Sequence, residues 1–320
     1  MSVKGRKWGY WGRRILMILI LWGCVFYFMM HFLNFTDEKT GWSVSGTNMI
    51  YWDQIDGGLF VDLSHLQSKN AVLINLGSGK IEGEHQSKNR MYPASMTKMM
   101  TALLVIENTG DLDEKFSLSE DIFERLYNDN ASMAGFWPGE RVSVRDLVYG
   151  MLLSSGGEAC VAAAEWLYGS ESAFVEAMNQ KAETLGMEDT RFTNTTGLHD
   201  KRHYTTVADM ALLLQYALKD PRFREVFTSS IYTTQGSDMR PEGFTMQSRI
   251  YDYMGNGVFP EGEILGGKTG YTDEAGLCLA SLARVGGQEY LLVTAGAEGN
   301  LYTEPYHVRD ALEIYGKVLQ

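Results

Sequence analysis

Residues 92–107 read YPASMTKMMTALLVIE, and the rest of the chain is best understood outward from them. Apolar side chains recur at helical spacing from Ser95 to Glu107, which predicts a helix over 95–107. Pro93, just before it, marks the boundary. Ser95 and Lys98 are three apart, so a helix brings both to one face, one turn from each other. Ser95 stands at the helix start, where backbone N–H groups are free and the dipole favours negative charge. A serine hydroxyl is a poor nucleophile until a base takes its proton. A lysine held close, partly desolvated and near other cations loses its own proton more easily and can serve as that base. The pair alone is a weak signal, because a serine three before a lysine is expected roughly once by chance in a chain this long.

On the N-terminal side, AVLINL (71–76) and IEGEHQ (81–86) flank GSGK and predict a hairpin with a glycine-containing turn. On the C-terminal side the chain turns helical. VRDLVYGMLL (144–153), EACVAAAEWLY (158–168), SAFVEAMNQKAETLG (172–186) and VADMALLLQYAL (207–218) all carry helical periodicity. Thr206 is placed to cap the last of these, with Asp209 in the capping-box position. Strand-length runs then return: ILGGKTGY (264–271), GLCLASLARV (276–285) and EYLLVTAGA (289–297), the last two separated by GGQ, a hairpin signal. A final helix is expected over 307–318. Strands at both ends of the sequence around a helical middle predict an α+β fold: one antiparallel sheet built from both ends, with a helical subdomain inserted.

The 320 residues are 45% hydrophobic and 21% charged, ordinary for a folded protein, and 6 prolines with no long Ser/Gly tract argue against a disordered linker. The formal charge of −12 makes nucleic acid an unsuitable partner. Yet residues 1–14 carry Lys4, Arg6, Lys7, Arg13 and Arg14 and no acid. The following ILMILILWGCVFYFMMHFLNF (15–35) has no Asp, Glu, Lys or Arg and is long enough to span a bilayer. The flanking arginines place the N-terminus in the cytoplasm by the positive-inside rule. A cleaved signal peptide is the competing reading, but the exit MMHFLNFTDEKTG offers no small-x-small cleavage site. The expected organisation is a cytoplasmic head (1–14), a transmembrane signal-anchor (15–35), a stalk or lead-in (36–70) and an extracytoplasmic catalytic domain (71–320). Of three cysteines, Cys24 falls in the apolar span; Cys160 and Cys278 lie in apolar runs and are read either as a pair in an oxidising compartment or as two buried thiols.

Two further motifs carry chemistry. Lys268-Thr269-Gly270, in GGKTGYTDEAG, places a cation and a hydroxyl on alternate faces of a strand, and Gly270 lets another backbone approach closely. Ser155-Gly156-Gly157 lies at a helix junction and by itself is a helix break. Other hydrolase classes find less support. His199 and His203 are four apart, a spacing that suits zinc on a helix, but there is no HExxH and the segment follows the loop signal Asn194-Thr195-Thr196-Gly197. No GxSxG marks a Ser-His-Asp hydrolase.

The order SxxK, serine at a helix junction, KTG resembles the penicillin-binding and serine β-lactamase superfamily. YPASMTKMMTALLVIE (92–107), NTTGLHDKRHYTTVADMALL (194–213) and GGKTGYTDEAGLCL (266–279) are most similar to the low-molecular-mass D-alanyl-D-alanine carboxypeptidases, and so are the spacings of 60 residues from Ser95 to Ser155 and 113 from there to Lys268. The resemblance implies a β-lactamase/DD-peptidase-like fold with a five-stranded antiparallel sheet. It implies Ser95 as nucleophile, Lys98 as base and Ser155 as the proton route to the leaving D-alanine. Lys268 and Thr269, with Gly270, would bind the terminal carboxylate, and the backbone N–H groups of Ser95 and Tyr271 would form the oxyanion hole. The substrate would be a peptidoglycan stem peptide ending in D-Ala-D-Ala, β-lactams would acylate the same serine, and no metal or other cofactor is implied. Arg249 lies near where some relatives carry a carboxylate-binding arginine. One departure stands out: the family's second motif is usually Ser-x-Asn, and Gly157 occupies the asparagine position, which opens the alternative of a catalytically weak or inactive wall-peptide or penicillin-binding protein.

Overall fold

The computed structural model describes residues 60–319; the expected head, anchor and most of the stalk lie outside them. The first strands are β1 (Asn70–Asn75) and β2 (Ile81–His85). A 3-10 turn over Ala94–Thr97 leads directly into α1 (Lys98–Asn108). Then come β3 (Lys115–Ser117), α2 (Glu120–Asn128), β4 (Arg141–Ser143), α3 (Val144–Leu152), α4 (Gly157–Tyr168), α5 (Glu171–Thr184), α6 (Val207–Ala217) and α7 (Pro221–Phe227). The chain continues with β5 (Ile231–Thr233), β6 (Thr245–Gln247), α8 (Tyr251–Met254), β7 (Val258–Phe259), β8 (Gly262–Thr272), β9 (Gly276–Val285), β10 (Gln288–Ala297) and α9 (Tyr306–Lys317).

The main sheet has the order β2-β1-β10-β9-β8-β7 and is antiparallel throughout. The two ends of the sequence meet in it, β1 pairing with β10 from Asn70↔Ala295 to Asn75↔Tyr290. It has six strands rather than the expected five. The extra one, β7, is two residues long and pairs with Gly262 and Glu263; two residues are too few to show a period of two.

Alternation along the strands feeds both faces of the sheet. Val72, Ile74, Leu291 and Val293 join the larger core with α1, α3, α4 and α6. Leu73, Leu279, Ala283 and Leu292 pack instead with Val308, Ala311, Ile314 and Tyr315 of α9. A sheet covered on both sides needs strands that are apolar at nearly every position, which explains the continuous runs of β1, β9 and β10. Helix α1 is buried from Lys98 to Ile106. A helix enclosed all round carries its first-turn lysine into the interior with it.

Two local expectations changed. The helix expected from Ser95 starts at Lys98, because Ala94 has a φ of 45° and the next residues form a 3-10 turn. Thr206 does cap α6, accepting from the Asp209 N–H at 3.0 Å, but the Asp209 carboxylate turns away to the Asp189 N–H and the Thr190 hydroxyl. The reciprocal capping box sits at α3, between Ser143 and Asp146.

Candidate active site

The Ala94–Thr97 turn is wedged between two glycines. Gly197, with a φ of +83°, lies so close to Ala94 that a Cβ there would collide with the Ala94 carbonyl. A Cβ on Gly270 of β8 would sit 3.1 Å from the Ser95 nitrogen and 3.2 Å from the Ala94 Cβ. These approaches hold Ala94 in the left-handed region, a local cost of about 1–3 kcal/mol that surrounding packing must impose. Ser95 is thereby set against the strand that carries the KTG motif.

Lys98 Nζ donates to Ser95 Oγ at 2.9 Å and to the Thr196 carbonyl at 2.6 Å. Burial brings its pKa down from 10.5 to about 8; Arg249 pushes the same way, while Cys160 and Glu158 oppose. An ammonium so placed has lost much of its hydration, so the neutral amine becomes accessible near neutral pH. The pair is thus a hydroxyl with a base in hydrogen-bond reach.

A second pair faces this one. Ser155 is buried between α3 and α4 with a φ of 64°, and Lys268 Nζ donates to its Oγ at 3.1 Å and to the Thr269 carbonyl at 2.8 Å. Burial, together with the charges of Lys98 and Arg249, holds Lys268 well below the ordinary lysine range. Arg249 is anchored beside Ser155: its N–H donates to Leu153 O at 3.2 Å and its Nε to Ser154 O at 3.1 Å. A positive, buried site of this kind favours an anionic ligand group. β8 pairs with β9 along its length but with β7 only through Gly262 and Glu263. Among the described residues, then, the stretch Lys268–Thr272 has no second strand partner, and an extended peptide can use that edge. Thr269 and Tyr271 are half-buried on it, the Tyr271 hydroxyl donating to Asp273 at 2.6 Å.

Residues 60–299 match the D-alanyl-D-alanine carboxypeptidase family. The chain belongs to that family. It is 36% identical over 249 residues to the D-alanyl-D-alanine carboxypeptidase DacF of Bacillus subtilis, covering 76% of this chain and 60% of the relative. It is 30% identical over 243 residues to DacA of Escherichia coli, covering 72% and 56%. It therefore spans rather less than two thirds of these curated relatives. The crystal structure of a Streptomyces DD-transpeptidase superposes with a TM-score of 0.71 at 27% identity, covering 79% of this chain and 97% of that one.

All three family motifs thus converge, but the asparagine position of the second does not look as its sequence suggested. Gly157 leaves no hole. Its N–H donates to Ser132 O at 2.7 Å, and a Cβ there would meet Ser132 O at 3.3 Å, Ala131 Cβ at 3.4 Å and Leu126 Cδ2 at 3.5 Å. The Ser132 carbonyl and the Ala131 and Leu126 side chains already border the direction a side chain would take. Gly157→Asn is accordingly expected to leave D-alanine release within about threefold of wild type and to lower Tm by roughly 2–8 °C through overpacking. Steady-state assays and a melting curve on the same preparation check this.

Of the two cysteine readings, the structure bears out the buried thiols. Cys160 and Cys278 are free and buried. Cys160 Sγ contacts Gly156 O at 3.3 Å and Cys278 Sγ contacts Ala275 O at 3.6 Å, and burial pushes both thiols up to about 12, away from thiolate chemistry. The two histidines also part ways. His203 is buried, with Nδ1 accepting from the Thr193 N–H at 3.1 Å and Nε2 2.8 Å from the Thr97 hydroxyl. Since Nδ1 accepts, Nε2 carries the hydrogen and donates to Thr97. Burial lowers its pKa to about 4, so it stays neutral and braces the Ala94–Thr97 turn. His199 sits edge-on to Tyr92 at 4.7 Å. Sequence reasoning missed Glu158, a fully buried carboxylate beside the second motif. A charged residue in the apolar run EACVAAA was the available signal.

Proposed function

We propose that this chain is a serine-type D-Ala-D-Ala carboxypeptidase that removes the terminal D-alanine from peptidoglycan stem peptides. The observation that carries the reading is the 2.9 Å contact between Lys98 Nζ and Ser95 Oγ within a buried, cationic site, with Lys268 and Ser155 paired at 3.1 Å on the other side. Lys98 takes the Ser95 proton as Oγ attacks the carbonyl between the two D-alanines. The N–H groups of Ser95 and Tyr271 receive the developing oxyanion. Ser155 passes a proton to the leaving amine, and water then hydrolyses the acyl-enzyme. Lys268 and Thr269 hold the substrate's terminal carboxylate, whose negative charge this cationic site favours. β-Lactams enter as mimics and acylate Ser95. The apolar segment 15–35 tethers the enzyme as a single-pass anchor, with the catalytic part outside the cytoplasm.

Incubating the full chain with a stem pentapeptide and measuring free D-alanine tests the reading; steady release supports it. The lack of an asparagine side chain at position 157 motivates one other reading, a penicillin or wall-peptide binding protein without turnover. Stoichiometric penicillin labelling with no D-alanine from any stem peptide would establish that alternative instead.

The proton state of Lys98 sets the pH dependence. Ser95 acylation requires the neutral amine, whose fraction grows as pH rises towards about 8. The second-order rate of penicillin acylation is therefore expected to rise about tenfold per pH unit from 5.5 to 7.5 and to level above 8. A rate flat across that range would remove Lys98 as the base.

A further inference from the structure

Glu158 follows Gly157 in the first turn of α4 and is wholly buried. A buried carboxylate is costly unless hydrogen bonds satisfy it. Its Oε1 accepts from three successive backbone N–H groups, those of Ala134 at 2.7 Å, Gly135 at 3.0 Å and Phe136 at 3.4 Å. Among the described residues its Oε2 has no hydrogen-bond partner. No hydrogen bond among the described residues joins it to Ser95, Lys98, Ser155 or Lys268, although its charge acts on Lys98.

The three donors belong to the segment joining α2 to β4. The same segment accepts the Gly157 N–H at Ser132 O and fills the side-chain direction of that glycine. It is pressed onto the turn that carries Ser155. A Cβ on Gly156 would stand 2.6 Å from Ala134 Cβ, and one on Gly150 would stand 2.8 Å from the Phe136 ring. The outer end of the segment is fixed independently. Arg240 lies 4.4 Å from the Trp137 ring centroid and 4.0 Å from that of Phe244, and its guanidinium pairs with Glu140 at 2.6 Å. The inner end rests on Glu158 and the Gly157 N–H.

We propose that Glu158 is a positioning residue for this active site: by gathering the 134–136 amides on one oxygen, it seats the Ala131–Phe136 segment as the wall behind the Ser155 turn, where the family's motif usually carries an asparagine side chain. The backbone N–H groups of the wall need an internal acceptor, and no apolar residue at 158 provides one. The role follows from the acceptor geometry of Oε1, which a glutamine reproduces and an alanine does not. The burial that raises the Glu158 pKa acts against its charge, not against that geometry.

The proposal rests on the reading of Ser95 as an acylating nucleophile, and the experiment separates the two. Full-length wild type, Glu158→Gln and Glu158→Ala are compared at pH 9, where the Lys98 titration no longer sets the rate, with rates normalised to penicillin-titrated active sites. Glu158→Gln is expected within threefold of wild type in acylation rate. Glu158→Ala is expected to lose at least thirtyfold, in kcat far more than in KM. Hydrogen exchange of the Ala134, Gly135 and Phe136 amides is expected to accelerate at least a hundredfold in the alanine variant, with β9 and β10 still protected. If the alanine variant does not fold, Glu158→Asp, one methylene too short to reach the three amides, takes its place with the same expectations. Wild-type rates in the alanine variant, or equal losses in Gln and Ala, overturn the positioning role. If wild type itself fails to acylate, the functional reading falls, and Glu158 is judged on exchange alone: unchanged exchange at 134–136 in the variant refutes its hold on the wall, and acceleration confined there sustains it.

Discussion

Ser95→Ala is expected to lower both D-alanine release and β-lactam acylation by at least about 1,000-fold, with stability changed by no more than about 1 kcal/mol. The loss is large because no other hydroxyl in the site has a base in the same position. Ser155 is also bonded to a lysine, but Lys268 Nζ is committed to it and to Thr269 O, on the side assigned to the leaving group and carboxylate. The stability change is small because the Ser95 hydroxyl has, among the described residues, one hydrogen-bond partner, Lys98 Nζ, which keeps its contact with Thr196 O. The folds that position Ser95 are made by Gly197, Gly270 and Ala94, none of which the substitution touches. Penicillin labelling on a gel and a thermal melt decide it. Residual labelling above about one part in a hundred of wild type would place the nucleophile elsewhere.

Lys98→Met is expected to cost about 100- to 10,000-fold in acylation at pH 8 and above, a difference that shrinks at lower pH as the wild-type lysine protonates, while leaving the protein no less stable at pH 7. The two effects have one cause. Burial holds the Lys98 pKa at about 8 against 10.5 in the unfolded chain. At pH 7 the unfolded state binds the proton more tightly, which disfavours folding by about 3 kcal/mol. Methionine fills similar volume without a charge and removes that penalty. Against this, the Thr196 carbonyl loses its donor, at about 1–3 kcal/mol. The sign with pH is also fixed. Below pH 8 both states are protonated and the penalty is present in full. Between pH 8 and 10.5 the folded lysine is already neutral while the unfolded one is losing its proton, so the penalty fades as pH rises. Wild type should therefore gain stability relative to Lys98→Met across that window, a difference that denaturant melts at pH 7, 9 and 10.5 measure. A methionine variant that is several kcal/mol less stable at pH 7 would mean that the buried lysine is well solvated or well paired.

Much of this was legible in the sequence because the chemistry lies in short, local patterns. SMTK needs only the helical repeat to bring Ser95 and Lys98 together, and the strand-length runs of β1, β9 and β10 at the two ends of the sequence announce one antiparallel sheet. What was not legible depends on contacts distant in sequence. Ala94 adopts a left-handed conformation because Gly197 and Gly270 reach it from other elements, so the helix starts three residues later than its periodicity suggests. Gly157 reads as a missing side chain, yet Ala131 and Ser132 occupy that space. His199 and His203 have a helical metal spacing, but they lie between α5 and α6, where His203 turns inward to Thr97. The sixth strand is too short to carry a pattern. Glu158 is an ordinary helix residue until the three amides of the 134–136 segment are seen to converge on it.

The most direct test of the whole account is to react the full-length protein with a penicillin at pH 8–9, digest it and map the adduct by mass spectrometry. The account predicts one acyl group per chain, on the peptide that contains Ser95. An unmodified Ser95 peptide under conditions that label a known carboxypeptidase, or an adduct at any other residue, would contradict it.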